Sequence, residues 1–282
     1  FIKTAIGNAL IYSSMFAIML VINIYSDGKQ FFNFFWLFMM ILSIGYAGHI
    51  TSMNFWTGFI FQSSHFLMVS IWSGILFNVT WLARDTKNYR KFLKWFTPLA
   101  IVCVVIIFIS GFFLMLEVVK LKDYTNAWLL PYGQMLLLKH ISIIPVLFFA
   151  FFNGVLMKKN VVDSSIHIRN WLKAESIFIT LVFFFTGIMG TKSPPHNINL
   201  TLKNEGSSKW IEFIMGMDIV PPINLAFSFT LEGMMLISMA FLFLALIVIS
   251  FIKKTKTNLP ILFSFCFVIT MYLGLMYSVS AK

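Results

Sequence analysis

A chain of 282 residues that is 59% hydrophobic and only 11% charged does not fold as a soluble globular domain, because its apolar runs repeatedly exceed the ~20 residues that cross a bilayer as a helix. Its net charge of +11 would suit a polyanionic partner if the basic residues gathered on one folded face. Instead, twelve of the 21 Lys and Arg fall in segments 84–94, 158–173 and 253–256, the pattern of cytoplasmic connections between membrane spans, so nucleic acid is excluded as a partner.

Taken in chain order, hydropathy and length predict eight spans, at roughly 5–26, 32–53, 59–82, 96–119, 132–157, 172–192, 223–252 and 258–280. The expected fold is an all-α polytopic helical bundle, a single transmembrane domain over 1–282. The three basic connections lie in the cytoplasm, which makes both termini and the links 2–3, 4–5 and 6–7 extracytoplasmic. The largest piece between spans, about 192–222, opens with TKSPPH and closes with VPP, whose prolines cannot continue a helix interior, so it reads as a structured outer cap. The sequence shows no cleavable signal peptide and begins at Phe1, not at an initiator methionine.

In the outer halves of these spans the chain carries groups that a lipid-facing helix does not need. His49 closes span 2, and His65 lies about two turns into span 3, so a short link lets both face one vestibule. His65, Met68 and Trp72 follow at i, i+3 and i+7 on one helical face, and Gly45, Gly48 and Gly74 would allow close helix approach. His140 lies about 12 Å into span 5. Met217, in the string MGMD, adds a further thioether on the same side. Imidazole with thioether suits copper better than magnesium or calcium, although most of the 17 methionines are packing residues. Asn224, Ser228 and Glu232, spaced i, i+4 and i+8, predict a polar stripe facing the bundle, with Lys139 as the ion-pair partner of Glu232 or with Glu232 as a cation attractor. Glu175 is expected to pair with Lys173 or Arg169. Cys103 and Cys266 read as small buried apolar residues, and no CxxC, CxxCH, HExxH or phosphate-cradling glycine loop occurs. The candidate metal ligands are therefore His49, His65, Met68, His140, Met217 and Glu232, with no catalytic residue assigned.

In this order the motifs Gly48-His49, HFLMVSIWSGIL, ISGFFL, YGQMLLLKH, the span-opening Glu175 and FFFTGIMGTKSPP resemble the CopD family of bacterial copper-resistance and copper-transport membrane proteins, over about residues 40–196. The resemblance implies a multi-pass protein of the bacterial plasma membrane, a transporter and not an enzyme. It would take copper, as Cu(I) or Cu(II), inward from an extracytoplasmic copper-binding protein or domain. The alternative is a haem-binding redox protein, since two histidines on different spans can serve as axial ligands.

Overall fold

In the computed structural model, residues 4–48, 50–52, 54–83, 89–158 and 168–281 are described, and they are almost entirely helical. Seven helices are long and apolar enough to cross a membrane: α1 (Ala5–Tyr25), α3 (Phe55–Phe77, continued by a π-helical turn Asn78–Leu82), α4 (Tyr89–Val118), α5 (Pro131–Lys158), α6 (Ile168–Met189), α9 (Leu231–Ile252) and α10 (Asn258–Tyr277). The protein is a polytopic helical bundle. The chain divides into two compact units, the first made of residues 1–75 and 98–118, the second of 76–97 and 119–282.

In the first unit, α1 and α2 (Gln30–Tyr46) form an antiparallel hairpin. Its turn is closed by Asn23, whose Nδ2 donates to Lys29 O at 3.2 Å and to Asn33 Oδ1 at 2.6 Å, and Phe16 stacks on Trp36. Helix α2 corrects one expected span. At 17 residues it rises about 25 Å, short of the ~30 Å hydrocarbon core, because it stops at Tyr46 and not near residue 53. Its last turn is spent on glycine and polar contacts. Thr51 Oγ1 donates to Gly45 O at 2.9 Å, and a Cβ on Gly45 would lie 2.0 Å from Ser63 Oγ, so α2 and α3 approach at a spacing only glycine permits. Gly74 plays no such part, since a Cβ there would meet nothing within 4 Å. Phe61 stacks on Phe113 at 4.6 Å, and Cys103 is fully buried.

In the second unit, α5 pairs with α6 and α9 with α10, while α10 also packs on α5. Aromatic contacts fill the interior, with Phe149 against Trp171 and Phe178, and Phe152 stacked on Phe251 at 4.4 Å. The segment predicted as a cap folds as two short helices, α7 (Ile198–Glu205) and α8 (Lys209–Met215), anchored by the buried Leu202 and Ile211.

The seventh predicted span begins later than expected. Residues 225–227 form a strand, β1, paired antiparallel with β2 (Val279–Ala281), and α9 starts only after Thr230, whose Oγ1 accepts from Gly233 N at 3.1 Å. Extended pairing and a capped start replace the helical run. Asn224 and Ser228 therefore share no helical face with Glu232, which is exposed in the first turn of α9, where a carboxylate complements the helix dipole. Among the described residues neither Glu232 nor Lys139 forms an ion pair, so the predicted stripe and pair are not part of the fold.

Candidate functional site

Helix α3 presents His65 to α4. His65 Nδ1 lies 3.1 Å from both Ile107 O and Ser110 Oγ. A carbonyl oxygen only accepts, so Nδ1 carries the proton in this contact, and in the neutral ring the lone pair is then on Nε2. Ser110 in turn donates to Ile106 O at 2.6 Å, leaving its oxygen able to accept from the imidazole. The approach depends on Gly111, where a Cβ would stand 3.0 Å from His65 Cε1. Met68 follows one turn along α3, partly buried, and Trp72 is buried one turn further. A histidine whose Nδ1–H is held by a carbonyl has the tautomer and ring orientation of a metal ligand through Nε2. The Ser110-Gly111 pair, within the motif ISGFFL, is a small, polar notch across from His65.

His49, the other half of the predicted vestibule, lies outside the described residues. In the second unit, His140 Nδ1 shares a 2.7 Å hydrogen bond with the hydroxyl of Tyr124, and the two rings lie 5.8 Å apart. Burial pushes the Tyr124 phenol up to about 12, so it is protonated at neutral pH. Nothing in the sequence pattern singled out Tyr124, because it sits in an irregular link with no helical register to place it against His140. Lys139 adjoins His140 and is partly buried. Met217 is exposed beyond Gly216, which ends α8 in the left-handed conformation, and Asp218 is exposed beside it. Among the described residues no group of three or more His, Cys, Asp and Glu is arranged to hold a metal ion.

A second polar cluster lies where the π-helical turn 78–82, α5 and α6 meet in the second unit. Asn153 Nδ2 donates to Glu175 Oε2 at 2.7 Å, with both side chains buried, and Asn153 Oδ1 is buried without a hydrogen-bond partner. The basic residues expected at Glu175 are engaged elsewhere. Arg169 Nε donates to Thr80 O at 2.9 Å, and Lys173 Nζ sits 4.7 Å over the Trp81 ring, whose Nε1 donates to Ser176 Oγ. The π-helical turn at 78–82 is what exposes the Thr80 carbonyl to Arg169 and turns Trp81 toward α6.

Residues 90–189, which carry Ser110, Tyr124, His140, Asn153 and Glu175, match the family model described as CopD, copper resistance protein D. Over this stretch the chain is similar to the CopD family. Comparison with curated proteins and with solved structures returned no match. The CopD match is narrower than the resemblance over residues 40–196, and it begins after His49, His65 and Met68. Seven helices long and apolar enough to cross a membrane, together with this match, fit a multi-pass protein of the cell membrane, and the matched family is described by copper resistance. The haem alternative gains no support from it.

Proposed function

We propose that this protein carries copper inward across the plasma membrane, with His65 and Met68 as ligands on its way into the helix bundle. The observation that carries the reading is the 3.1 Å contact of His65 Nδ1 with the Ile107 carbonyl, which assigns the lone pair to Nε2 one helical turn from a thioether. Imidazole and thioether together favour Cu(I) over hard cations. In this reading His49 is a second ligand with His65, and His140 is a further ligand. Met217 and Glu232, both exposed, act at the mouth, where a thioether and a carboxylate collect the ion without burying it. Copper reaches them from an extracytoplasmic copper-binding protein or domain.

Copper uptake into cells or proteoliposomes containing the chain tests this. His65→Ala is expected to abolish uptake while leaving the folded protein intact, and His49→Ala is expected to do nearly as much, with little further loss in the double variant, because ligands of one ion act as a unit. Wild-type uptake by His65→Ala would overturn the reading.

A further inference from the structure

Tyr124 and His140 differ from the Ile107–His65 pair in one chemical respect, and the consequence rests on the reading of His140 as a copper ligand. A carbonyl only accepts, so His65 is confined to one tautomer, whereas a phenol hydroxyl both donates and accepts. We propose that Tyr124 is a positioning residue for His140, bonded to Nδ1 in both tautomers, so that the ring is held in one orientation with and without copper.

In the copper-free protein the phenol donates to Nδ1, and the imidazole proton is on Nε2. With copper held at Nε2, the ring would carry its one proton on Nδ1, the proton lost from Nε2 being matched by one taken up at Nδ1 from water, and Nδ1–H would donate to the phenol oxygen. The imidazole stays neutral, no proton is released overall, and no electron is transferred. The 2.7 Å contact accommodates either direction.

What makes Tyr124 able to hold a ring in place is its frame. It stands between two 3₁₀ turns, Leu121–Asp123 and Asn126–Leu129, in the link before α5. Three of the residues that follow it are tied to different elements. Asn126 receives the Leu225 N–H of β1 at 2.7 Å, the Trp128 carbonyl accepts from buried Gln134 of α5, and Leu129 O accepts from Ser208 N at 2.8 Å ahead of α8. The Trp128 ring lies edge-on to Tyr124 at 5.9 Å and to Phe227 at 6.0 Å. Moving the phenol would disturb contacts to α5, α8 and β1 together. A hydrogen bond from such a frame fixes a ligand's orientation, and losing this kind of support typically costs about 10–100-fold in metal affinity.

The test uses the full-length protein in detergent, labelled with ¹⁵N-histidine, with His140→Ala to assign the His140 signals and Cu(I) titrated against a chromophoric chelator. Copper-free wild type is expected to show His140 as the Nε2–H tautomer, and Cu(I) is expected to convert it to Nδ1–H. Tyr124→Phe, which keeps the ring and removes the hydroxyl, should give mixed tautomers and about tenfold weaker Cu(I) binding. If His140→Ala weakens binding but Tyr124→Phe retains wild-type affinity and a single tautomer, the positioning role falls while His140 stands as a ligand. A wild-type His140 that is Nδ1–H before copper is added overturns the switch. If His140→Ala binds Cu(I) as wild type does, the ligand reading of His140 fails, and this inference fails with it.

Discussion

At the scale of single residues, the polar contacts inside the helices sort by what each donor or acceptor could do elsewhere. Gly111 matters because of what it leaves out. With only 3.0 Å between a Cβ at that position and His65 Cε1, Gly111→Val must push the imidazole from the Ile107 carbonyl. The expected result is at least about tenfold weaker Cu(I) binding with His65 still present, read by chelator competition. Asn153 bears on stability. It donates to a buried carboxylate, so Asn153→Leu removes a hydrogen bond to a group that water cannot reach, and the expected loss is about 1.5–3 kcal/mol in unfolding experiments. A change below half of that would show that Glu175 relies on other neighbours.

At the scale of elements, helix ends decided the largest differences from the sequence reading. The apolar run around span 7 has no internal feature that forbids helix from residue 223 onward except the proline pair before it, yet Thr230 caps the helix and the preceding residues pair with the chain's last strand. This moves Glu232 from a bundle interior to an exposed first turn. Glu232→Gln is therefore expected to change stability by no more than about 1 kcal/mol, the scale of a helix-dipole interaction, not the ~3–5 kcal/mol of a broken buried ion pair. Thermal unfolding of Glu232→Gln and of the double variant with Lys139→Met checks it, and a deficit in the single variant restored in the double would reinstate the pair. Helix α2 offers the complementary case. Gly45→Leu forces a side chain onto Ser63, and the expected cost is about 1–3 kcal/mol, because the helices must separate to admit it.

At the scale of the whole molecule, topology remains the statement with the widest reach, since the side of the membrane on which His49 and His65 stand follows from it. By the positive-inside rule the basic segments 84–94 and 158–173 are expected on the cytoplasmic side. In a background with Cys103 and Cys266 replaced by alanine, Lys87→Cys is expected to resist a membrane-impermeant thiol reagent in intact cells and to react once they are permeabilised. Reversal of this pattern would place the histidines on the cytoplasmic side and remove the import reading.

Hydropathy alone determined the fold class and the positions of most spans, because a helix in lipid must satisfy its backbone internally and therefore announces itself as a long apolar run. The motifs ISGFFL and YGQMLLLKH pointed to the CopD family, because they are local strings that survive without knowledge of the fold. The candidate site was legible only in its histidines. Their hydrogen-bond partners were not, since the Ile107 carbonyl carries no sequence signal, Ser110 is one serine among many, and Tyr124 reaches His140 from an irregular link across 16 residues. Likewise the pairing of residues 225–227 with 279–281 joins segments over 50 positions apart, and no periodicity within either could foretell it. Local energetics wrote the helices into the sequence, whereas the hydrogen-bond partners of His65 and His140 are supplied only by tertiary packing.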